Sequence, residues 1–371
     1  MNAAFDNSAS QPRAAWAICG DGIPQASVTL KPLAEGLAAR GVELTIICGS
    51  HAPQGAFDGW PADVIRLPMR RWFRPARAIS RLASELRERG VRILHALDAE
   101  AGGTTSLLAG ELNCEHVVSS RRLGDGRLIG KMPVRPTLVL AAGLGVKLDL
   151  VNSNCIRPDR ILVIPPAISH VDRTDRSAGR SRYRYVVTSD VFDDYRAAAA
   201  VLDAFARLDG TDTECLFFAV GNGPAEHTLR KHAEELGLSE SLTFVDRLAA
   251  RQLAGVFQAA DIYISPRAAD GINIDALLAM ASGAAVMAPE DYVSDFIIDG
   301  KTASMFRSRD AGDIAEHLAD MLKNRRRTAS LADGALAYLD RNHHPGRTAE
   351  KVLAAYRTVL AAKPDRVPLS A

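Results

Sequence analysis

The chain has 371 residues, 47% hydrophobic and 24% charged, with 45 Lys plus Arg against 44 Asp plus Glu. That length suits about two domains, and the balanced charge argues against a nucleic-acid or anionic-membrane partner recognised through bulk charge. Five cysteines (Cys19, Cys48, Cys114, Cys155, Cys215), odd in number and without a C-x-x-C pair, argue against a disulfide framework or zinc site and for a reducing compartment.

The opening MNAAFDNSASQPR is polar and carries an Asp, unlike a secretory leader. No apolar run approaches the ~20 residues of a membrane span. The expectation is a cytoplasmic chain, with a peripheral contact at the inner membrane face left open.

Ala14–Cys19 reads as a buried strand running into Gly20–Asp21–Gly22. A helix pattern follows over Ser27–Arg40, stopped by Gly41, and then a strand at Val42–Cys48. This β-α-β unit has a glycine-containing first turn, but it lacks the G-x-G-x-x-G dinucleotide fingerprint. Val64–Pro68 is a strand. The basic segment Met69–Arg77 reads as a solvated connection in preference to a contact for an anionic lipid or phosphorylated acceptor. Ala78–Gly90 is a helix and Val91–Ala96 a strand.

Thr104–Leu112 is a helix. His116–Ser120 is a strand whose end carries Arg121–Arg122, a pair suited to a phosphate or carboxylate or simply to the surface. Pro136–Leu144 is expected to be helical, Leu148–Asn152 a strand, and Arg160–Pro165 the last apolar run of this half. Ser169–Arg182 is polar and reads as a linker.

The alternation then resumes. Strands are expected at Tyr185–Thr188, Glu214–Val220, Leu242–Val245, Ile262–Ile264, Ala284–Ala288 and Ala303–Phe306. Helices are expected at Tyr195–Leu208, Glu226–Leu236, Ala249–Ala259, Ile274–Ala281, Ala311–Lys323, Arg325–Asn342 and Ala349–Ala362. The strand Ile262–Ile264 empties through Asp270–Gly271 into the helix at Ile274. Unpaired first-turn N–H groups and the helix dipole suit an anion there.

The signatures VGNGPAEHTL, LTFVDRL, LAGVFQAADIYISPRAADG, LLAMASGAAVMAP and FIIDGKTASMF occur in that order. They resemble the C-terminal domain of retaining GT-B glycosyltransferases of family 4 (glycosyl transferases group 1). LAEGLAARGVELTIIC, RILHALDA and RILVIPPAIS resemble the first half of that family more loosely. The resemblance implies an α/β fold of two doubly wound Rossmann-like domains facing a central cleft. The first domain would span 1–168, a linker 169–182 and the donor domain 183–345, with a final helix in 346–371 crossing back to the first domain.

It also implies transfer of a hexosyl group, with retention, from a nucleotide-sugar donor to a saccharide or lipid-linked acceptor, in cell-surface polysaccharide or glycoconjugate synthesis. The nucleotide-sugar is a substrate, and neither a cofactor nor a metal is implied. Asp270 would face the donor sugar, while Arg196 and Arg121 would meet the phosphates as catalytic cations. Gly20, Gly22, Gly221, Gly223, Gly271, Ile272 and Asn273 would form the close backbone contacts. The family's second acid, which grips the ribose, falls on Leu278, and its phosphate-site Arg on Val191. Asp190, Asp193 and Asp194 add negative charge beside Arg196, and Asp291–Tyr292 replaces a glycine pair. A non-catalytic glycan-binding or scaffold subunit is therefore the alternative, and a nucleotide-sugar 2-epimerase a third reading.

Overall fold

A computed structural model describes residues 11–19, 23–50, 52–67, 76–171, 183–189, 192–208, 215–290 and 293–361. The described residues fall into two compact units. One comprises the chain up to Ala167 together with the part from Pro345 on, and the other is Ile168–His344.

The first unit is a seven-stranded sheet of order β3-β2-β1-β4-β5-β6-β7. The strands are β1 (Arg13–Ile18), β2 (Glu43–Gly49), β3 (Asp63–Leu67), β4 (Ile93–Ala96), β5 (Glu115–Ser120), β6 (Leu138–Ala141) and β7 (Ile161–Val163). All its pairings are parallel, so each connection crosses over through α1 (Ile23–Ala38), α2 (Ala76–Glu88), α3 (Ala99–Leu112), α4 (Asp125–Ile129) or α5 (Leu144–Asn152) or a loop. The central strands are buried on both faces, as helices on either side require.

The chain's last described helix, α12 (Pro345–Ala361), packs on α1. The approach is close because Gly36 lacks a side chain: a Cβ there would lie 2.8 Å from that of Ala349. Trp16, Leu37, Ile46, Val352 and Tyr356 share the resulting core.

The second unit is a six-stranded sheet of order β10-β9-β8-β11-β12-β13. Its strands are β8 (Arg184–Ser189), β9 (Cys215–Val220), β10 (Leu242–Val245), β11 (Ile262–Ile264), β12 (Ala285–Pro289) and β13 (Ala303–Phe306). These too pair in parallel. They alternate with α6 (Tyr195–Ala206), α7 (Glu226–Glu235), α8 (Ala250–Ala259), α9 (Ile274–Ala281), α10 (Ala311–Lys323) and α11 (Arg325–Asn342). Each unit is therefore a doubly wound α/β domain, and the strand order reverses at β1/β4 in the first and at β8/β11 in the second. Ligands of such sheets bind beyond the carboxyl ends of the strands at the reversal.

Two expected elements are exchanged. Pro136–Leu144 holds the strand β6 in place of a helix, and Leu148–Asn152 is the end of helix α5 in place of a strand. The run Leu138–Ala141 is too short for periodicity to separate a helix from a strand buried on both sides. In α5, Val146 and Leu150 face the core, but Leu144 and Leu148 are 54% and 55% exposed. Apolar residues on two faces hide the helical period. The basic segment around Arg70–Arg74, the polar stretch 172–182, Gly20, Gly22, Val191 and Asp291–Tyr292 lie outside the described residues.

Candidate functional site

In the second domain the reversal point is built from Ser189 at the end of β8, Ser265 after β11, and the N-terminus of α9. Asn273 caps that helix. Its side chain accepts from the Ala276 N–H at 2.9 Å and donates to Ser265 Oγ at 2.8 Å. Its own N–H donates to Ser294 Oγ at 3.2 Å. Asn273 is thus committed to shaping the loop, and Gly271 and Ile272 lie between it and Asp270. Asp270 is exposed at the loop's edge.

Behind this loop lies a buried polar chain. Tyr263 OH is 3.0 Å from Ser189 Oγ, which donates to Asp275 Oδ2 at 2.6 Å. Asp275 is 8% exposed and sits in the first turn of α9, where a carboxylate is favoured by the helix dipole. Leu278 lies one turn later, 5% exposed, within the apolar face of the helix. At Leu278 there is no acid and no surface for one.

Arg196 lies in the first turn of α6 and Arg267 in the loop after β11. Both line one open concavity of about 550 Å³, together with Asp193, Asp194 and Tyr195. The local carboxylates are partly answered. Asp194 caps α6 through the Ala197 N–H and pairs with Arg309 at 2.8 Å. The Arg309 guanidinium holds the Asp194 carboxyl below the usual carboxylate range. Neither Arg196 nor Arg267 has an ion pair among the described residues, so both guanidinium groups can turn to a ligand.

The glycines after β9 have a reason inside the protein. Gly221 has φ +138°, and a Cβ on Gly223 would meet the Phe192 carbonyl oxygen at 2.8 Å. They let the β9 exit run against the turn that leads to Arg196, whatever they do for a ligand.

In the first domain the reversal point is bridged by Asp98, the N-cap of α3. It accepts from Ala101 N–H at 2.6 Å and from Cys19 N–H at 3.1 Å. Beside it runs a second buried chain. Trp16 Nε1 donates to Tyr356 OH at 2.8 Å, Tyr356 OH is 2.7 Å from His95 Nδ1, and His95 Nε2 is 2.9 Å from Ser119 Oγ. Indole is only a donor, so the tyrosine oxygen accepts from Trp16, and the tautomer of His95 sets which partner donates in its two contacts. Burial pushes the His95 pKa down to about 3, with His116 adding to the effect, so the ring is neutral.

Arg121 follows β5 and is partly buried. Asp125 accepts from its backbone N–H at 3.0 Å, from Arg122 N–H and from Ser120 Oγ. The Arg121 guanidinium has no hydrogen bond or ion pair among the described residues.

Of the residues expected at a site, Arg196 lies at the second reversal point, and Asp270, Gly271, Ile272 and Asn273 lie in the loop that leads into α9. Gly221 and Gly223 pack against the turn that leads to Arg196, and Arg121 belongs to the first domain. Sequence reasoning missed Arg267, Asp275, Ser189 and Tyr263. Arg267 stands three residues beyond the end of a recognised strand, which was a usable signal. The Ser189–Asp275 pairing spans 86 residues and had none.

Comparison with known proteins fits this architecture. Residues 172–336 match the family described as glycosyl transferases group 1, and residues 26–167 match the glycosyl transferase 4-like domain. A D-inositol 3-phosphate glycosyltransferase of Stackebrandtia nassauensis is 28% identical over 234 residues, covering 57% of this chain and 53% of that protein. The chain spans about half the length of the curated relatives it matches. A glycosyltransferase from Rickettsia africae superposes with a TM-score of 0.79 at 14% identity, over 95% of this chain and 100% of that one. Anabaena HepE in complex with UDP does so with a TM-score of 0.73 at 14% identity, over 93% and 100%. At such identities the likeness is one of fold.

The fold is the GT-B architecture of two Rossmann-like domains. Its second domain resembles the glycosyl transferases group 1, and its first a glycosyl transferase 4-like domain.

Proposed function

We propose that the protein transfers a sugar, with retention, from a nucleotide-sugar donor to a saccharide or lipid-linked acceptor, in the synthesis of cell-surface polysaccharide or glycoconjugate. The observation that carries this reading is the convergence of Arg196 and Arg267, both without ion pairs among the described residues, on one concavity at the second domain's reversal point. The relatives named as glycosyltransferases and the likeness to a UDP complex support it.

In the reaction the bond from the anomeric carbon to the diphosphate oxygen breaks, and a bond to an acceptor hydroxyl oxygen forms. Negative charge grows on the departing diphosphate. Arg196 and Arg267 would stabilise it, a kind of preorganised electrostatic help worth about 3–4 kcal/mol per group where it has been measured. Asp270 would accept hydrogen bonds from the donor sugar's hydroxyls. The ribose is left to other contacts, since Leu278 offers no acceptor.

That last point favours a second reading, a non-catalytic member that keeps the fold and binds glycan or nucleotide without turnover. Calorimetric titration with UDP- and GDP-linked sugars tests the common premise. Saturable binding of at least one, weakened by Arg196→Ala and Arg267→Ala, is expected. Binding of none would sink the proposal.

A further inference from the structure

Three non-glycine residues among those described have a left-handed backbone: Asn113, Asn154 and Arg309. Asparagine tolerates that conformation, whereas a long cationic side chain has no local reason to adopt it. Arg309 holds it at φ +62° in the loop between β13 and α10. Strain of this kind persists where the surroundings impose it, and it gathers at functional sites.

Arg309 ties that loop to the start of α6. Its Nη2 donates to Asp194 Oδ2 at 2.8 Å, across 115 residues of sequence. Arg307, two residues earlier, is taken by Asp310 and Asp313 beside it. The longer reach therefore falls to the strained residue.

Asp194 is one of two carboxylates in the concavity that holds Arg196 and Arg267. Its Oδ1 accepts from the Ala197 N–H and caps α6, which fixes a negative charge beside the two arginines. Asp193 and Asp194 match Arg196 and Arg267 two against two, so this lining alone offers a diphosphate no net attraction. Arg309 does not line the concavity, but its charge reaches it through Asp194 and tips the balance to positive. The same bond occupies the carboxylate oxygen that the helix cap leaves over.

We infer that Arg309 is a positioning residue for an anion site. By pairing with Asp194, it lets that side chain cap α6 without repelling a nucleoside diphosphate from Arg196 and Arg267. The part this plays in sugar transfer rests on the reaction proposed above, whereas the charge balance does not.

The test is calorimetry on the full chain with UDP, GDP and inorganic pyrophosphate, at low salt, where exposed charges are least screened. Wild type should bind pyrophosphate and at least one of the nucleotides. Arg309→Gln should weaken binding about three-fold or more, the effect of one partly exposed charge a few ångströms from the ligand. Asp194→Asn keeps an acceptor for the α6 cap but loses the charge, and it should tighten binding by a similar factor. The double variant should return near the wild-type affinity.

Arg309→Gly supplies a readout that a structural tie would not give. Glycine accepts φ +62° without strain, and an exposed ion pair contributes little to stability. This variant should melt no lower than wild type while binding as weakly as Arg309→Gln.

Affinity left unchanged by either Arg309→Gln or Asp194→Asn would overturn the role. So would an Arg309→Gly protein whose melting temperature falls along with its binding. Pyrophosphate binding that follows the expected order of variants, in a protein that binds no nucleotide, would uphold the role and remove the transfer reaction instead. Binding of no probe at all would overturn both.

Discussion

Ser189 Oγ donates to Asp275 Oδ2 at 2.6 Å, tying the end of β8 to the first turn of α9 across the point where the second sheet reverses. Tyr263 OH joins the pair at 3.0 Å. Removing the carboxylate takes away the acceptor of the Ser189 hydroxyl, and a buried group left unsatisfied costs about 1–3 kcal/mol. Asp275→Ala should therefore lower unfolding free energy in urea by an amount in that range. Asp275→Asn, which keeps an acceptor oxygen, should lose less. Equal stability of Asp275→Ala and wild type would mean that the bond does no structural work.

Tyr356 does comparable work in the first domain, where its hydroxyl serves both Trp16 and His95. Tyr356→Phe keeps the ring and deletes the hydroxyl, so the indole N–H and the imidazole Nδ1 lose their partner together. At about 1–3 kcal/mol for each orphaned group, denaturant midpoints should fall clearly with little change in slope. The loss should be visible in the full-length protein, since α12 carries Tyr356 into the core that holds Trp16.

Two buried histidines set an acid limit on stability. Burial pushes His95 down to about 3 and His116 down to about 4, against about 6.5 in an unfolded chain. Between those values the unfolded chain takes up protons that the folded chain refuses, so stability rises with pH through that window and is lost as pH falls below about 6.5. Above about 6.5 both states hold neutral rings and the effect is absent. Unfolding free energies measured from pH 7.5 down to 4.5 should decline, and His95→Gln with His116→Gln should flatten the decline. A wild-type curve without slope in that window would contradict the burial of these rings.

Much of the fold was legible because parallel α/β architecture writes itself locally. Ile274–Ala281 and Leu242–Val245 were bounded as the structure has them, since each is a run of one period between clear breaks. Leu138–Ala141 and α5 were exchanged because a four-residue buried strand and a helix with exposed leucines carry misleading patterns. The site was less legible. Arg196 could be placed by its position after a strand, but Arg121 and Thr348 share a cavity only because α12 returns 227 residues later (348 less 121) to the first domain. No local pattern encodes that meeting.

The central claim is nucleotide-sugar turnover at the Arg196–Arg267 concavity. Its most direct measurement is release of UDP or GDP from a panel of nucleotide sugars by purified full-length protein, in wild type and in Arg196→Ala, with binding followed in parallel. The account predicts release by wild type from at least one donor and a fall of about ten-fold or more in Arg196→Ala, the lower end of what loss of a charge-stabilising group costs. Donor binding without any release, or release that Arg196→Ala leaves unchanged, would contradict it.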